Sequence, residues 1–154
     1  MKKRHLLAGA ALALAIPFGS AFAAGATPQG KTQGQVIGPV RVTSEGRAEV
    51  TARYICQPEY NHLWVSAKQV ASANPDKILQ GPESSANSAV WNQSHPQNFT
   101  CDGEWHTDTF VIGDGTLEYG WGTLQHGQAW VQFCLTSGSD ESLLFMDTRW
   151  ASVR

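Results

Sequence analysis

From Val36 onward, apolar and polar residues alternate with a period of two in short runs broken by turn residues, the pattern of antiparallel strands with one wet face. Arg47 to Cys56 is the clearest run: Ala48, Val50, Ala52, Tyr54 and Cys56 fall on one face, and Arg47, Glu49, Thr51 and Arg53 on the other. His62 to Gln69 repeats it with Leu63, Val65 and Ala67 inward, and Gln128 to Thr136 with Ala129, Val131, Phe133 and Leu135 inward. Weaker runs predict strands at Val36 to Thr43, Ala89 to Asn92, Gln97 to Cys101, Thr107 to Ile112, Thr116 to Gly120 and Leu143 to Val153. Ser44-Glu45-Gly46, Asp102-Gly103, Gly113-Asp114-Gly115 and Ser137-Gly138-Ser139 punctuate them as turns. No segment sustains a helical period. About seven to nine short strands predict an all-β fold, an immunoglobulin-like antiparallel β-sandwich. The polar stretch Ala73 to Ser88, with Asn74-Pro75-Asp76 and Gly81-Pro82-Glu83, is expected as an exposed loop crossing between sheets.

The residues before the first strand carry a different pattern. Lys2, Lys3 and Arg4, then the apolar run Leu6 to Ile16, then Ala21-Phe22-Ala23 form a signal peptide over 1–23, with a mature start at Ala24. Broken by Pro17 and Gly19, the run is too short to span a bilayer, which needs about 20 apolar residues. With no cysteine at the cleavage site and no apolar tail at the carboxyl end, no membrane anchor is expected. Residues 24–35, rich in Gly, Thr and Gln, predict a flexible arm, and 36–154 a single domain. Removal of Lys2, Lys3 and Arg4 takes the formal net charge from -2 to -5. The remaining basic residues are scattered, so nucleic acid and anionic membrane surfaces are poor partners.

Export changes the meaning of the three cysteines, Cys56, Cys101 and Cys134, because it favours a disulfide and leaves one thiol over. A Cys56 to Cys134 bridge is the immunoglobulin arrangement, with Trp64 on an intervening strand. Strand parity opposes it, since Cys134 shares a face with Gln128, Trp130 and Gln132, and Cys56 with Val50 and Tyr54. Cys101, on the face of Phe99 and before the Asp102-Gly103 turn, is the better partner for Cys56. The leftover Cys134 has Gln132 and Thr136 beside it rather than a cation that would activate a thiol, so a packing role is expected.

Candidate chemistry is sparse. The chain lacks an esterase nucleophile elbow, a zinc-protease His-Glu-x-x-His and a phosphate-binding glycine loop. His106 and Asp108 alternate onto one strand face near Asp102 and Glu104, a conceivable general base or metal site for a small hydrolase, although a wet sheet face carries such residues ordinarily. His62, His95 and His126 sit beside turn residues and are expected in exposed loops. Asp102, Glu104, Asp114, Glu118 and Asp140 offer oxygen ligands but no calcium-loop motif, so turn formation explains them better. Neither a metal nor a cofactor is expected. Among the six tryptophans, Trp64 and Trp130 point away from the expected core and Trp91 lies beside a polar loop. Exposed indoles are how secreted sandwiches hold sugar rings or partner proteins; packing beneath the Ala73 to Ser88 loop is the competing explanation.

The order of Val50-Thr51-Ala52-Arg53-Tyr54-Ile55-Cys56, Leu63-Trp64-Val65-Ser66, Thr100-Cys101-Asp102-Gly103-Glu104-Trp105-His106 and Gly127-Gln128-Ala129-Trp130-Val131 resembles small secreted actinobacterial domains of unknown function. The resemblance implies an immunoglobulin-type sandwich with one cysteine in an early strand and another in a Cys-Asp-Gly turn, and it supplies no active site. Cys134 and the long loop before Asn92 depart from that pattern. The expectation is therefore a secreted, extracellular, non-enzymatic module that binds an unidentified protein or glycan. A carbohydrate-binding module using Trp64, Trp91 and Trp130 is one alternative, and an enzyme centred on His106 and Asp108 the other.

Overall fold

The computed structural model describes residues 31–113, 120–137 and 144–154. Seven strands form one curled sheet: β1 (Gln33–Val42), β2 (Ala48–Ile55), β3 (His62–Gln69), β4 (Val90–Ser94), β5 (Trp105–Ile112), β6 (Gly127–Thr136) and β7 (Leu144–Val153), in the order β4-β3-β6-β7-β1-β2-β5. The described residues contain no α-helix, only a 3-10 turn at Lys77–Gln80 in which the Ile78 amide is capped by Asp76 Oδ1 at 3.0 Å. The alternation places the core inside the curl: Ala48, Val50, Ala52, Tyr54 and Cys56 of β2 and its end, Leu63, Val65 and Ala67 of β3, and Ala129, Val131, Phe133 and Leu135 of β6 are fully buried. The sheet's two edges approach each other, with Ser94 Oγ donating to Val111 O (2.9 Å) and the Gly113 amide to Gln93 O (3.3 Å).

β1 joins the two halves of the curl. It starts at Gln33, three residues before the expected strand, and pairs Gln33–Ile37 antiparallel with Thr51–Ile55 of β2. At Gly38, whose φ of +68° suits a residue without a Cβ, the register shifts. Val40 then pairs parallel with Val153 of β7, and the Val42 amide donates to Arg154 O at 2.8 Å. Near the shift, Asp147 Oδ2 accepts from the Val36 amide and Arg149 Nη1 donates to Val36 O, both at 2.8 Å, so two β7 side chains satisfy backbone groups that lack a strand partner.

The Cys56–Cys101 disulfide is present, with Cα atoms 4.7 Å apart, and Cys134 is free and buried. Its expected setting is corrected, because Gln97 to Cys101 forms no strand. The segment is irregular, held by the bridge and by the Thr100 amide donating to Tyr54 Oη at 3.3 Å. Gly103, at φ +85°, makes the turn behind it and donates its amide to Cys56 O (2.9 Å). The expected strand at Thr116 to Gly120 lies outside the described residues except for Gly120, which is not in a strand.

The Ala73 to Ser88 loop is mostly exposed, as expected, but does not cross between sheets. It joins β3 to β4, neighbours in the same sheet, and part of it is buried: Leu79 is fully covered, and Ser84 and Ser88 nearly so.

Candidate binding site

The strand registers fix what stands on the outer face of β7, β6, β3 and β4. Four cross-strand rows run across it: Leu144, Thr136 and His62; Met146, Cys134 and Trp64; Thr148, Gln132, Ser66 and Gln93; and Trp150, Trp130, Lys68 and Trp91. An outward face of a half-buried sheet is ordinarily polar. Here indoles, thioether, thiol and leucine alternate with a few amides and hydroxyls. Ser66, Lys68 and Gln93 are buried despite pointing away from the core.

The cover over the lower rows is tied down by Lys68. Its ammonium donates to Ser84 Oγ of the loop (2.7 Å) and to Gln132 Oε1 (2.6 Å), and it lies 5.6 Å from the Trp64 ring centre and 5.5 Å from that of Trp91. Burial pushes its pKa below the ordinary lysine value, with the neighbouring Cys134 opposing in part.

The upper rows remain open as a cavity of about 530 Å3, lined by His62, Trp64, Ser85, Trp91, Gln93, His95, Cys134, Thr136, Leu144 and Met146. This volume is in the range of small-molecule sites. Trp64 Nε1 donates to Gln93 Oε1 (2.8 Å), fixing that indole, and Trp91 meets Trp121 edge-on with centroids 5.2 Å apart. His62 Nε2 and His95 Nδ1 stand 2.8 Å apart. Two polar atoms among the lining residues, Trp91 Nε1 and Thr136 Oγ1, are buried with no hydrogen-bond partner. Cys134 is nearly inaccessible, and burial pushes its thiol up to about 11, which keeps it protonated at neutral pH.

Of the three tryptophans expected to form a platform, Trp64 and Trp91 share this cavity. Trp130 faces the same side but packs tilted against Trp150, with ring centroids 5.3 Å apart, and is not among the lining residues. His62 and His95, expected in loops, lie respectively at the start of β3 and just past β4, in mutual contact. Lys68, Thr136 and Met146 were not expected at a site. The sequence signal for Thr136 and Met146 was the apolar content of the outward positions in β6 and β7; Lys68, in β3, carried none.

The other expected site is differently built. His106 and Asp108 lie on the inward side of β5 with Phe110 and Ile112, not on its wet face, because His106 pairs with Tyr54 and Asp108 with Ala52, both core residues. Their hydrogen bonds diverge: Tyr54 Oη donates to Asp108 Oδ2 at 2.6 Å, and His106 Nε2 meets Asp102 Oδ1 at 2.8 Å. That contact holds the Asp102 carboxyl below its ordinary pKa, and burial with the Asp108 bond raises that of Tyr54. The pair thus links a core tyrosine to the disulfide loop. Among the described residues no three His, Cys, Asp or Glu side chains gather to hold a metal ion. Asp114, Glu118 and Asp140 lie outside the described residues.

No protein-family model, curated protein or solved structure matches this chain.

Proposed function

We propose that the chain is a secreted, non-enzymatic binding module of immunoglobulin-like sandwich form, and that it holds a carbohydrate ring in the cavity between Trp64 and Trp91. The observation that carries this reading is the convergence of two indoles with the Gln93 amide and the His62–His95 pair in one cavity of about 530 Å3. Indole faces bury the apolar faces of sugar rings at little entropic cost, and fixed polar groups then select hydroxyls. Secretion is supported by the leader-like residues 1–23, by the Cys56–Cys101 bridge, and by the lack among the described residues of a helix long and apolar enough to cross a membrane. The sandwich reading is supported by the strand order, in which β1 links two groups of strands around one core.

Calorimetric titration with a panel of soluble oligosaccharides tests the proposal. Binding by the unaltered protein should be lost in Trp64→Ala and Trp91→Ala and kept in Trp130→Ala. No heat with any glycan, or equal loss in all three variants, would remove this reading.

A protein partner is the second reading, favoured by the exposed apolar rim: Leu144 is 62% and Met146 52% exposed. Leu144→Ser with Met146→Ser would then abolish capture of the partner and leave glycan titrations unchanged.

A further inference from the structure

Lys68 is the one charged side chain fully buried among the described residues, at 2% exposure, and neither of its hydrogen-bond acceptors is charged. A buried ion is ordinarily matched by a counter-ion, because neutral partners replace only part of its lost hydration. The faces of Trp64 and Trp91 supply a further part. Those two indoles are walls of the cavity, so an uncompensated positive charge stands directly behind it.

A second observation points the same way from different atoms. Trp91 Nε1 can only donate a hydrogen bond, and it is buried without an acceptor; Thr136, 7% exposed, has an unpartnered Oγ1. The amide oxygen of Gln93, an acceptor on the wall, is already engaged by Trp64. None of the described lining residues is a carboxylate. One indole donor and one positive charge are therefore unmatched here, in a chain whose net charge is negative.

Resting on the carbohydrate reading above, we infer that the ligand is an acidic sugar, a hexuronic acid residue of a polysaccharide, with its ring against Trp64 and Trp91 and its carboxylate as the counter-ion that Lys68 lacks. Lys68 acts across the cavity wall, through its field, and is a positioning residue. A neutral sugar supplies hydroxyls that donate as well as accept, and leaves the charge unmatched.

The test is calorimetry on the full mature protein with galacturonate, glucuronate and mannuronate trimers, each beside its methyl ester. At least one acid should bind about tenfold more tightly than its ester, the scale of a charge pair attracting across a partly desolvated wall. Lys68→Met should abolish that preference, so that acid and ester bind alike. The acid and ester comparison needs no variant, so it stands even where Lys68→Met fails to fold. Ester and acid binding equally overturns this inference and leaves the carbohydrate reading intact. Binding confined to neutral glycans does the same. No binding of any sugar overturns both.

Discussion

The outer face of β1, β2 and β5 and the outer face of β4, β3, β6 and β7 belong to one curled sheet, yet they are finished in opposite ways. On the first, Thr51 and Thr109 hydroxyls meet in the open at 2.8 Å, Arg53 lies over an exposed Trp105 at 4.6 Å, and Arg47 pairs with Glu45 at the neighbouring turn. On the second, a lysine and two amide or hydroxyl side chains are buried beneath a returning loop, with a cavity beside them. The comparison shows that strand alternation assigns a side chain to a face, while what covers that face depends on a loop elsewhere in the sequence. It also separates two ways of fastening irregular chain: the segment before β5 is held covalently by Cys56–Cys101, and the loop between β3 and β4 by Lys68 and Ser84.

The sharpest contrast is in thiol chemistry. With its pKa raised from 9.0 to about 11, Cys134 should react with a disulfide reagent at neutral pH about 100-fold more slowly in the folded protein than in the unfolded chain, even before shielding is counted. Equal rates in the presence and absence of urea would place Cys134 in the open and collapse the distinction between the faces. Stability carries the next effect. Removing the bridge, which closes a separation of 45 residues, by Cys56→Ser with Cys101→Ser should cost about 4 kcal/mol in denaturant titrations.

Lys68→Ala should cost about 2 kcal/mol, since it leaves Ser84 and Gln132 unpaired and a void beneath the loop. Arg53→Ala on the open face should cost about 0.5 kcal/mol. Similar losses for both would show the two faces to be equally wet. The pH response separates them again. Because burial lowers the proton affinity of Lys68, the unfolded chain binds more protons between that lowered value and 10.5, so its contribution to stability rises with pH through this window. Cys134 has the opposite sign: its folded pKa is raised, so its contribution is complete below pH 9.0 and lost as pH climbs through about 11. Chemical denaturation across that range should lose the rising component in Lys68→Met and the falling one in Cys134→Ser. Smallest of all, Thr51→Ala should shift stability by less than about 0.5 kcal/mol.

The core was largely legible because its residues answer to one rule. Val50, Val65, Val131 and Phe133 are apolar at alternate positions, and each is fully buried as that alternation requires. Parity likewise separated Cys134 from Cys56. It succeeded for Cys101 with the wrong local geometry, since the bridge needs only proximity to the end of β2 and no strand at Gln97 to Cys101. The faces of β5 were legible in pattern but misjudged in sense. Phe110 and Ile112 fix which side is inward, and His106 and Asp108 share that side with them. Polarity suggested water, whereas Tyr54 supplied a buried donor for Asp108. The cavity was legible only through its tryptophans. Lys68 carries no sequence signal of burial, because a lysine at an outward strand position is the ordinary wet residue until a loop closes over it.

The change of partner along β1 bears on the order in which this chain can become a folded protein. The first strand's latter half is completed by Val153 and Arg154, near the other end of the chain, whose backbone meets Val40 and Val42. Half of β1 therefore stays unmatched until the distant segment carrying Val153 and Arg154 folds back onto it. Closure of so long a loop is slow, and it holds back the final assembly of the sheet.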